Sequence, residues 1–391
     1  MTDEKKLLAE DFVLTDDHLD GGLRGIPVGT CRTSAVSADE GVSYRGYPIT
    51  DLADLSCEDV IYLLFHGELP SGDQAKSFSE DLGRRSEVDP AVFDLVARLP
   101  ESGHPMEALI AAVMFLGMTG KTEDNDYRED ALNLVARSSA VVAAVFRVKN
   151  GWGDPIAPRT DLPFHENFAH MMGCPGGHEV LADLLRMFYV LHADHGGGNL
   201  STFVGKAVAS GLADTYSSMA GALAALYGPR HGRANQECLE FVKRIGTFDP
   251  AEAESRVRAV MADGGVVYGY GHAVLRAEDP RATIQFAFGE KHFADDENFK
   301  IARTLRQVVP SILKEHPKIS NPYPNVDAVS GSLLHAAGLK DSRFYTLLFG
   351  WSRIAGISAQ IVDEREVLRG GKGVPIYRPR FIAVDQPRRR R

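Results

Sequence analysis

The stretch that decides the fold is FYTLLFGWSRIAGISAQIVDE, residues 344–364. Its apolar side chains recur three and four positions apart, the spacing that places residues on one face of an α-helix. The segment 179–192, EVLADLLRMFYVLH, repeats this spacing, and small residues crowd together in SSMAGALAALY, residues 217–227, as in closely packed helices. Strand-like alternation is confined to short pieces near 27–32 and 42–47. The sequence therefore predicts an all-α, or mainly α, fold with long helices.

Composition limits the class of protein. The chain has 391 residues, which suits one large domain or two unequal ones. Its 44% hydrophobic and 25% charged residues are ordinary for a soluble globular protein, and no apolar run approaches the roughly 20 residues of a membrane span. The formal charge of −10 opposes nucleic-acid binding, since phosphates are neutralised by Lys and Arg. We expect neither membrane nor nucleic acid as a partner, and we interpret the basic run Arg388 to Arg391 as a solvated tail.

The cysteines and the first residues bear on location. The four cysteines are scattered and form no CxxC pair; they are Cys31, Cys57, Cys174 and Cys238. This usage favours a reducing compartment over a disulfide framework or a zinc ribbon. The start, MTDEKKLLAEDF, has neither the apolar core of a signal peptide nor an Arg- and Ser-rich transit pattern. We therefore predict a cytoplasmic protein.

Glycine and proline interrupt the helical pattern beside ionisable side chains. The four interruptions are HGGGN (195–199), GPRHG (228–232), GYGH (269–272) and NPYPN (321–325). Loops held by rigid helices are where binding groups concentrate. These four loops are therefore the first places to look for chemistry.

His231 precedes a predicted helix that begins near Ala234. A helix N-terminus carries partial positive charge, which disfavours imidazolium and keeps the ring neutral. A neutral imidazole N–H is a suitable hydrogen-bond donor to a developing enolate. From position alone, a histidine bonded to a nearby backbone group is the commoner arrangement.

Asp327 and His272 are the other ionisable loop residues. Asp327 stands either as a first-turn acid that stabilises its helix or as a general base. His272 follows two glycines, which let a backbone approach a ligand closely. Arg281, Arg353 and Arg378 are suited to gripping carboxylates. Together these residues indicate carbon–acid chemistry on a small dicarboxylate.

Other motifs lead to weaker hypotheses. Gly269-Tyr-Gly271 begins like a dinucleotide fingerprint, but Val274 stands where the third glycine belongs. Gly120-Lys-Thr122 resembles the end of a P-loop, but Phe115 occupies the position of its first glycine. The segment His192-Ala-Asp194-His195 could supply ligands for a metal-dependent hydrolase, yet no further ligand outside this segment lies at a suitable spacing. We predict no metal site.

The loop segments resemble, in order and spacing, the active-site segments of the citrate synthase family. They are HADHGGGNLSTFV (192–204), GPRHGRANQE (228–237), YGYGHAVLRAEDPR (268–281), NPYPNVDAVSG (321–331) and LFGWSRIAGISAQI (348–361). The segments GLRGIPVGT (22–30) and EGVSYRGYPI (40–49) also resemble the family, so the resemblance runs through most of the chain. Five ordered motifs are far more specific than any one of them.

The resemblance implies a two-domain helical fold and an acyltransferase. Residues 1–231 and 333–391 would form a large helical domain, and residues 232–332 a smaller mobile one. The enzyme would condense acetyl-coenzyme A with oxaloacetate and hydrolyse citryl-coenzyme A, the first step of the tricarboxylic acid cycle. Acetyl-coenzyme A is then a substrate, and no cofactor is expected.

The resemblance also implies roles for individual residues. Asp327 would take a methyl proton from acetyl-coenzyme A, His231 would stabilise the enolate, and His272 would polarise and protonate the oxaloacetate carbonyl. Ser201 would lie near the thioester. The residues expected to hold oxaloacetate are His195, Asn199, Arg281, Arg353 and, from the partner subunit, Arg378 of a homodimer. Those expected to meet coenzyme A are Arg24, Arg147, Val266, Val267, Gly269, Tyr270 and Gly271.

The nearest alternative is 2-methylcitrate synthase, which uses propionyl-coenzyme A. One methylene in an acyl pocket is worth only about 1–3 kcal/mol, so sequence does not separate the two activities. One departure from the animal-type pattern is Gly196, which stands where an acidic residue is usual. The regulatory extension of larger relatives is not apparent, so inhibition by NADH is not expected.

Overall fold

A computed structural model describes residues 12–23 and 25–380 of the chain, and helices dominate those residues as the sequence predicts. The first eight are α1 (Asp16–Asp20), α2 (Ile49–Leu52), α3 (Cys57–His66), α4 (Gly72–Arg85), α5 (Pro90–Arg98), α6 (Pro105–Gly120), α7 (Tyr127–Lys149) and α8 (Phe164–Met172). The rest are α9 (Leu181–His192), α10 (Leu200–Ser210), α11 (Thr215–Leu226), α12 (Ala234–Ile245), α13 (Pro250–Ala262), α14 (Pro280–His292), α15 (Glu297–Lys314), α16 (Asp327–Ala336) and α17 (Tyr345–Val362).

Helix α17 is the centre of the core. Every one of its residues is buried, because α3, α6, α7, α9, α10 and α11 all pack against it. The indole of Trp351 stacks on Phe168 with ring centroids 3.9 Å apart and donates its N–H to the hydroxyl of Ser139. A helix that is apolar on all sides is a core helix rather than a surface one. The helix is confirmed, and its polar residues Arg353 and Gln360 are therefore buried too.

Small residues allow α10 and α11 to pack closely. A Cβ at Gly205 would lie 3.0 Å from the Cβ of Ala222, and one at Gly221 would lie 3.2 Å from the Val208 side chain. Larger side chains at these positions would force the helices apart. The close packing predicted for 217–227 is therefore present, and it fixes the start of α10 relative to α17.

The small sheet differs in part from the prediction. Strands β1 (Ser34–Ser37), β2 (Gly41–Tyr44) and β3 (Tyr47–Pro48) form an antiparallel sheet in the order β1-β2-β3. The predicted strand at 42–47 overlaps β2 and β3, but the one at 27–32 is wrong. That segment is held by side chains instead, since Lys206 donates to the carbonyl of Thr30.

Helix α7 is long and apolar enough to cross a membrane by composition, and 78% of its most apolar window is buried inside the protein. The core helices of soluble proteins have the same properties. Within this helix, the buried hydroxyl of Ser138 donates a hydrogen bond to the carbonyl of Val135. We interpret α7 as a core helix of the bundle, packed on α17, α6 and α8.

Helices α12 to α15 and the first part of α16 come from the segment 232–332. They pack on one another, with α12 against α16 and α15, and α13 against α15. Contacts to the rest of the bundle run from α16 to α9 and from α14 to α2. Loops of this segment therefore face loops of the α9–α10 region.

Candidate active site

Two histidine contacts join the loops marked out by the sequence. Nε2 of His272 lies 3.3 Å from Nε2 of His195. Nε2 of His231 lies 2.9 Å from the hydroxyl oxygen of Ser201. Loops far apart in sequence thus meet at one place between α9, α10 and the 268–281 segment.

The surroundings of His231 fix its protonation. The N-terminal N–H groups of a helix lack partners within the helix, and that of Ser201 in α10 donates to Nε2 of His231 at 3.2 Å. A ring nitrogen that accepts an N–H carries no proton, so the neutral ring is protonated on Nδ1. Burial, reinforced by the charge of Arg353, lowers the pKa of His231 to about 4. The neutral ring predicted from sequence is supported, and the helix that bonds it is α10 rather than α12.

His272 carries its proton on the other nitrogen. Its Nδ1 accepts the backbone N–H groups of Val274 and Leu275, both at 3.0 Å. The neutral ring is therefore protonated on Nε2, the atom that faces His195. Burial, with a further contribution from Arg281, lowers the pKa of His272. The site thus contains a neutral N–H donor beside His195.

Asp327 begins α16 and is the acid of the site. Its backbone N–H is accepted by the side chain of Asn325 at 2.9 Å, and that side chain also donates to the carbonyl of Gly271. Burial raises the pKa of Asp327 to about 6, although Arg281 and Arg353 oppose the shift. Within the described residues the carboxylate has no hydrogen-bond partner. A part-buried carboxylate with a raised pKa is suited to accept a proton near neutral pH.

Arg281 is buried beside Asp279. The guanidinium donates to both carboxylate oxygens, from Nε at 3.0 Å and from Nη2 at 2.7 Å. Burial alone would lower the pKa of Arg281, but the charge of Asp279 outweighs it and the pKa is raised. Asp279 also caps α14. The pair holds a fixed positive group whose Nη1 has no partner within residues 12–23 and 25–380.

Arg353 is a buried arginine without a carboxylate partner among the described residues. It is 2% exposed, and its Nε donates to the carbonyl of His192 at 2.9 Å. Its guanidinium lies 4.6 Å from the ring centroid of Phe349. Burial lowers its pKa to about 10. A buried cation costs free energy unless it is paired, so this position is suited to an anionic ligand.

The predicted coenzyme A segment lines a cleft that ends at His272. The cleft has a volume of about 640 Å³ and includes Val266, Val267, Tyr270 and Gly271. Gly269 adjoins them and adopts φ 81°, where an added Cβ would meet Ala328. The cleft is within the usual size range of small-molecule sites. Lys318 also lines it, a residue that the sequence reasoning missed because nothing in KISN marks it out.

Other predicted residues are placed less simply. The side chain of Asn199 caps α10 by accepting from Thr202 and Ser201, and it donates to carbonyls of its own loop. Arg147 donates to the carbonyls of Trp152 and Met172, so its hydrogen bonds are with the 152–172 segment rather than with the cleft.

Arg378 is exposed and makes no hydrogen bond or ion pair with the part of its own chain that the structure describes. Arg24 and the run Arg388 to Arg391 lie outside the described residues. For all three, the sequence-based interpretation stays a prediction.

The cluster proposed for a metal is bonded in another way. The oxygens of Asp194 accept from Thr33, Gln360 and the backbone of His195. Nδ1 of His192 lies 2.8 Å from the carbonyl of Phe188. No group of three or more His, Cys, Asp or Glu side chains within the described ranges is arranged to hold a metal. The residues do not favour a metal-dependent hydrolase.

The fold and the site together define a mainly helical enzyme for carbon–acid chemistry on a small anion. The family model for the citrate synthase C-terminal domain matches residues 22–380. The chain is 36% identical to the mitochondrial citrate synthase 4 of Arabidopsis thaliana over 399 residues, which cover 95% of this chain and 83% of that protein. The chain belongs to the citrate synthase family.

Solved structures agree with that assignment. The fold is similar to the citrate synthase of Thermoplasma acidophilum, solved as a ternary complex with carboxymethyl coenzyme A and oxaloacetate. The TM-score is 0.84 and the identity 25%, with 95% of this chain and 97% of that chain covered. The citrate synthase of Pyrobaculum aerophilum has a TM-score of 0.82 and 32% identity, covering 94% and 92% of the two chains. The mainly helical two-domain fold class is confirmed.

The relatives contradict the predicted cytoplasmic location. The similar proteins from Arabidopsis thaliana and Citrus maxima are mitochondrial, and yeast contributes a mitochondrial and a peroxisomal citrate synthase. They point to an organelle rather than the cytoplasm. The cysteine argument failed because unpaired cysteines indicate a reducing compartment without distinguishing one such compartment from another.

Proposed function

We propose that the protein is a citrate synthase that condenses acetyl-coenzyme A with oxaloacetate and releases citrate and coenzyme A. The observation that carries this proposal is the set of protonation states at one site. Asp327 has a raised pKa, His231 is neutral with its proton on Nδ1, and His272 presents an Nε2–H. The citrate synthase family assignment supports the same activity.

The first step is removal of a proton from the acetyl methyl group. Asp327 accepts this proton, and the electron pair moves onto the thioester oxygen. A thioester C–H is far less acidic than a carboxylic acid, so the carboxylate needs help from a donor that stabilises the enolate oxygen. Nδ1–H of His231 is that donor, since its Nε2 is already engaged by α10. Together the carboxylate of Asp327 and the N–H of His231 make enolisation possible.

The second step forms the carbon–carbon bond. The enolate carbon attacks the carbonyl carbon of oxaloacetate, and the carbonyl oxygen takes the proton on Nε2 of His272. That proton is available because Nδ1 is held by two backbone donors. Water then attacks the thioester of citryl-coenzyme A, which releases citrate and coenzyme A. Asp327 then releases the methyl proton to solvent and His272 regains one at Nε2, so both groups return to their starting states and all atoms of both substrates and one water are accounted for.

The carboxylates of oxaloacetate are held by two buried cations and by His195, whose pKa is lowered by burial so that the ring is neutral. Arg353 lacks a carboxylate partner, Arg281 has an uncommitted Nη1, and His195 faces His272. Bidentate arginine–carboxylate contacts give orientation as well as affinity. Asn199 holds the loop of His195, and Ser201 holds His231 near the thioester.

Coenzyme A occupies the cleft lined by Val266 to Gly271. The backbone at Gly271 can approach a flat adenine closely, because glycine has no Cβ. Lys318 at the same cleft provides positive charge for the phosphates. Arg24 remains a further phosphate ligand expected from the family resemblance, whereas the guanidinium of Arg147 is already bonded to carbonyls of the 152–172 segment.

The enzyme works as a homodimer in which Arg378 reaches the partner's site. Two exposed apolar side chains one turn apart on α6, Met114 and Met118, support this association. Met118 is 72% exposed and Met114 is 36% exposed. Contiguous exposed apolar surface of this kind marks protein interfaces. Residues 232–332 form a mobile domain that closes over the substrates and excludes water during condensation.

Thiol release with oxaloacetate tests the proposal, using acetyl- and propionyl-coenzyme A at matched concentrations. Faster release from acetyl-coenzyme A is expected, and the relatives do not favour 2-methylcitrate synthesis. Preference for propionyl-coenzyme A would move the activity to 2-methylcitrate with the same residues. Absence of release from both thioesters would overturn the proposal.

A further inference from the structure

A buried carboxylate that takes no part in the chemistry lies directly behind the oxaloacetate site. Asp194 is fully buried, between His195 and the end of α9. It forms no ion pair within the described residues, although a buried charge is costly unless it is compensated. The feature therefore needs an explanation beyond packing.

Hydrogen bonds from three parts of the chain hold the carboxylate. The hydroxyl of Thr33, next to β1, donates to Oδ2 at 2.5 Å. The side-chain amide of Gln360, in α17, donates to Oδ1 at 2.8 Å. The backbone N–H of His195 donates to Oδ1, also at 2.8 Å. The β-sheet, the core helix and the substrate loop are joined through one side chain.

The same network fixes the loop beyond His195. Gln360 also donates to the carbonyl of Gly196 at 3.2 Å, and the N–H of Gly196 donates to the hydroxyl of Ser34 at 2.7 Å. A Cβ at Gly356 would lie 2.6 Å from the Cβ of Asp194, so only glycine lets α17 approach this closely. The close approach places Gln360 within reach of the carboxylate.

Asp194 also acts electrostatically on the buried Arg353. That guanidinium is held to the end of α9 through the carbonyl of His192. Burial disfavours its charged form, and among the neighbouring groups Asp194 contributes most to keeping it protonated. One carboxylate thus acts on two of the groups expected to contact the substrate, His195 and Arg353.

We propose that Asp194, held by Thr33 and Gln360, is a positioning residue that sets oxaloacetate affinity by orienting His195 and balancing the charge of Arg353. The proposal rests on the proposed function, since it concerns the same substrate. It predicts an effect on one substrate alone. A role in folding only would leave the affinity for both substrates unchanged.

The test uses Thr33→Val, which removes the hydroxyl and keeps the shape, with Thr33→Ser as the matched variant that restores it. For Thr33→Val we expect KM for oxaloacetate to rise about fivefold to tenfold, the effect of losing one typical intramolecular hydrogen bond. KM for acetyl-coenzyme A should change less than twofold, and Thr33→Ser should behave like the wild type.

Gln360→Met provides a second variant if Thr33→Val folds poorly. Methionine has a similar length but cannot donate the two hydrogen bonds of the Gln360 amide. The same selective rise in KM for oxaloacetate is expected. The proposal is overturned if a folded variant melts at a lower temperature but has unchanged KM values for oxaloacetate and acetyl-coenzyme A. It is also overturned if both KM values rise together. An inactive wild type would instead refute the proposed function, so the two failures are distinguishable.

Discussion

The two ends of the proposed site are built in opposite ways. At the oxaloacetate end, Arg281 and Arg353 are 1% and 2% exposed and are held by hydrogen bonds to Asp279 and to the end of α9. At the coenzyme A end, Val266 is 59% exposed and glycine backbone lines an open cleft. The oxaloacetate end is rigid and desolvated, whereas the coenzyme A end is open and lined largely by backbone atoms.

The difference follows from the ligands. A small dianion offers little apolar area, so its binding depends on charges that water does not screen and that are already in position. A large nucleotide-containing thioester offers many contacts, each of modest value, and it must enter and leave. Substitutions should therefore have large effects at the oxaloacetate end and small ones in the cleft. The catalytic base, Asp327, lies where the two ends meet.

The largest effect is expected for Asp327→Asn, which removes the base and keeps the shape. Turnover should fall about 10³-fold, within the range that positioned acid–base groups contribute. Oxaloacetate binding should stay within about twofold of the wild type, because the buried arginines are untouched. Steady-state kinetics and calorimetric titration with oxaloacetate measure the two quantities.

Asp295→Asn is the matched control, since that carboxylate is fully exposed and activity should not change. The raised pKa also predicts a gain in stability for Asp327→Asn. A carboxyl group whose pKa is higher in the folded state favours folding when protonated and opposes it when ionised. Above pH 6 the amide should therefore melt at or above the wild-type temperature. Retention of most activity would show that another group is the base.

The next largest effect is expected for Arg353→Met at the rigid end. KM for oxaloacetate should rise about 100-fold, because a desolvated charge-assisted contact is worth roughly 2–3 kcal/mol. KM for acetyl-coenzyme A should change little. Arg353→Lys keeps the charge and loses the planar fork, so an intermediate rise of about tenfold is expected. Equal loss of affinity for both substrates in a folded variant would contradict the division into two ends.

The pH dependence of kcat/KM tests the role of Asp327, which lies where the two ends of the site meet. Asp327 has a pKa of about 6 and acts as a base only when ionised. The value of kcat/KM for acetyl-coenzyme A should therefore fall as the pH drops below about 6, by about tenfold per pH unit. His231 titrates lower, at about 4, and so does not set this limb. A rate that stays constant down to pH 5 would exclude Asp327 as the group that titrates.

Sequence patterns were sufficient for the helical fold, and the family resemblance supplied the residues that we propose contact substrate. Helical spacing located α9 and α17, and glycine-rich loops located His231, His272 and Asp327. Hydrogen-bond partners across the fold were not predictable, because nothing in the spacing of Thr33, Asp194 and Gln360 shows that they touch. The extended segment 27–32 was mistaken for a strand because its partners are side chains, such as that of Lys206.

Charged surface residues were missed for a similar reason. Lys318 lies in an ordinary polar stretch, and only the folded cleft shows what it faces. The partner of Arg281 could have been predicted from sequence. Asp279 precedes a proline at a helix start, which is a common capping position. A side chain can thus be predicted where local rules apply and is missed where tertiary packing decides its neighbours.

The smallest effect is expected for Lys318→Ala in the open cleft. KM for acetyl-coenzyme A should rise about threefold to fivefold, since an exposed charge contributes up to about 1 kcal/mol. Oxaloacetate affinity should not change, and Lys291→Ala, an exposed lysine of α14 that does not line the cleft, provides the control. The difference should shrink as salt is raised, because the Debye length falls from about 10 Å at 0.1 M to about 3 Å at 1 M. An effect that survives high salt would mean that Lys318 acts through packing rather than charge, and the cleft would then be more rigid than we propose.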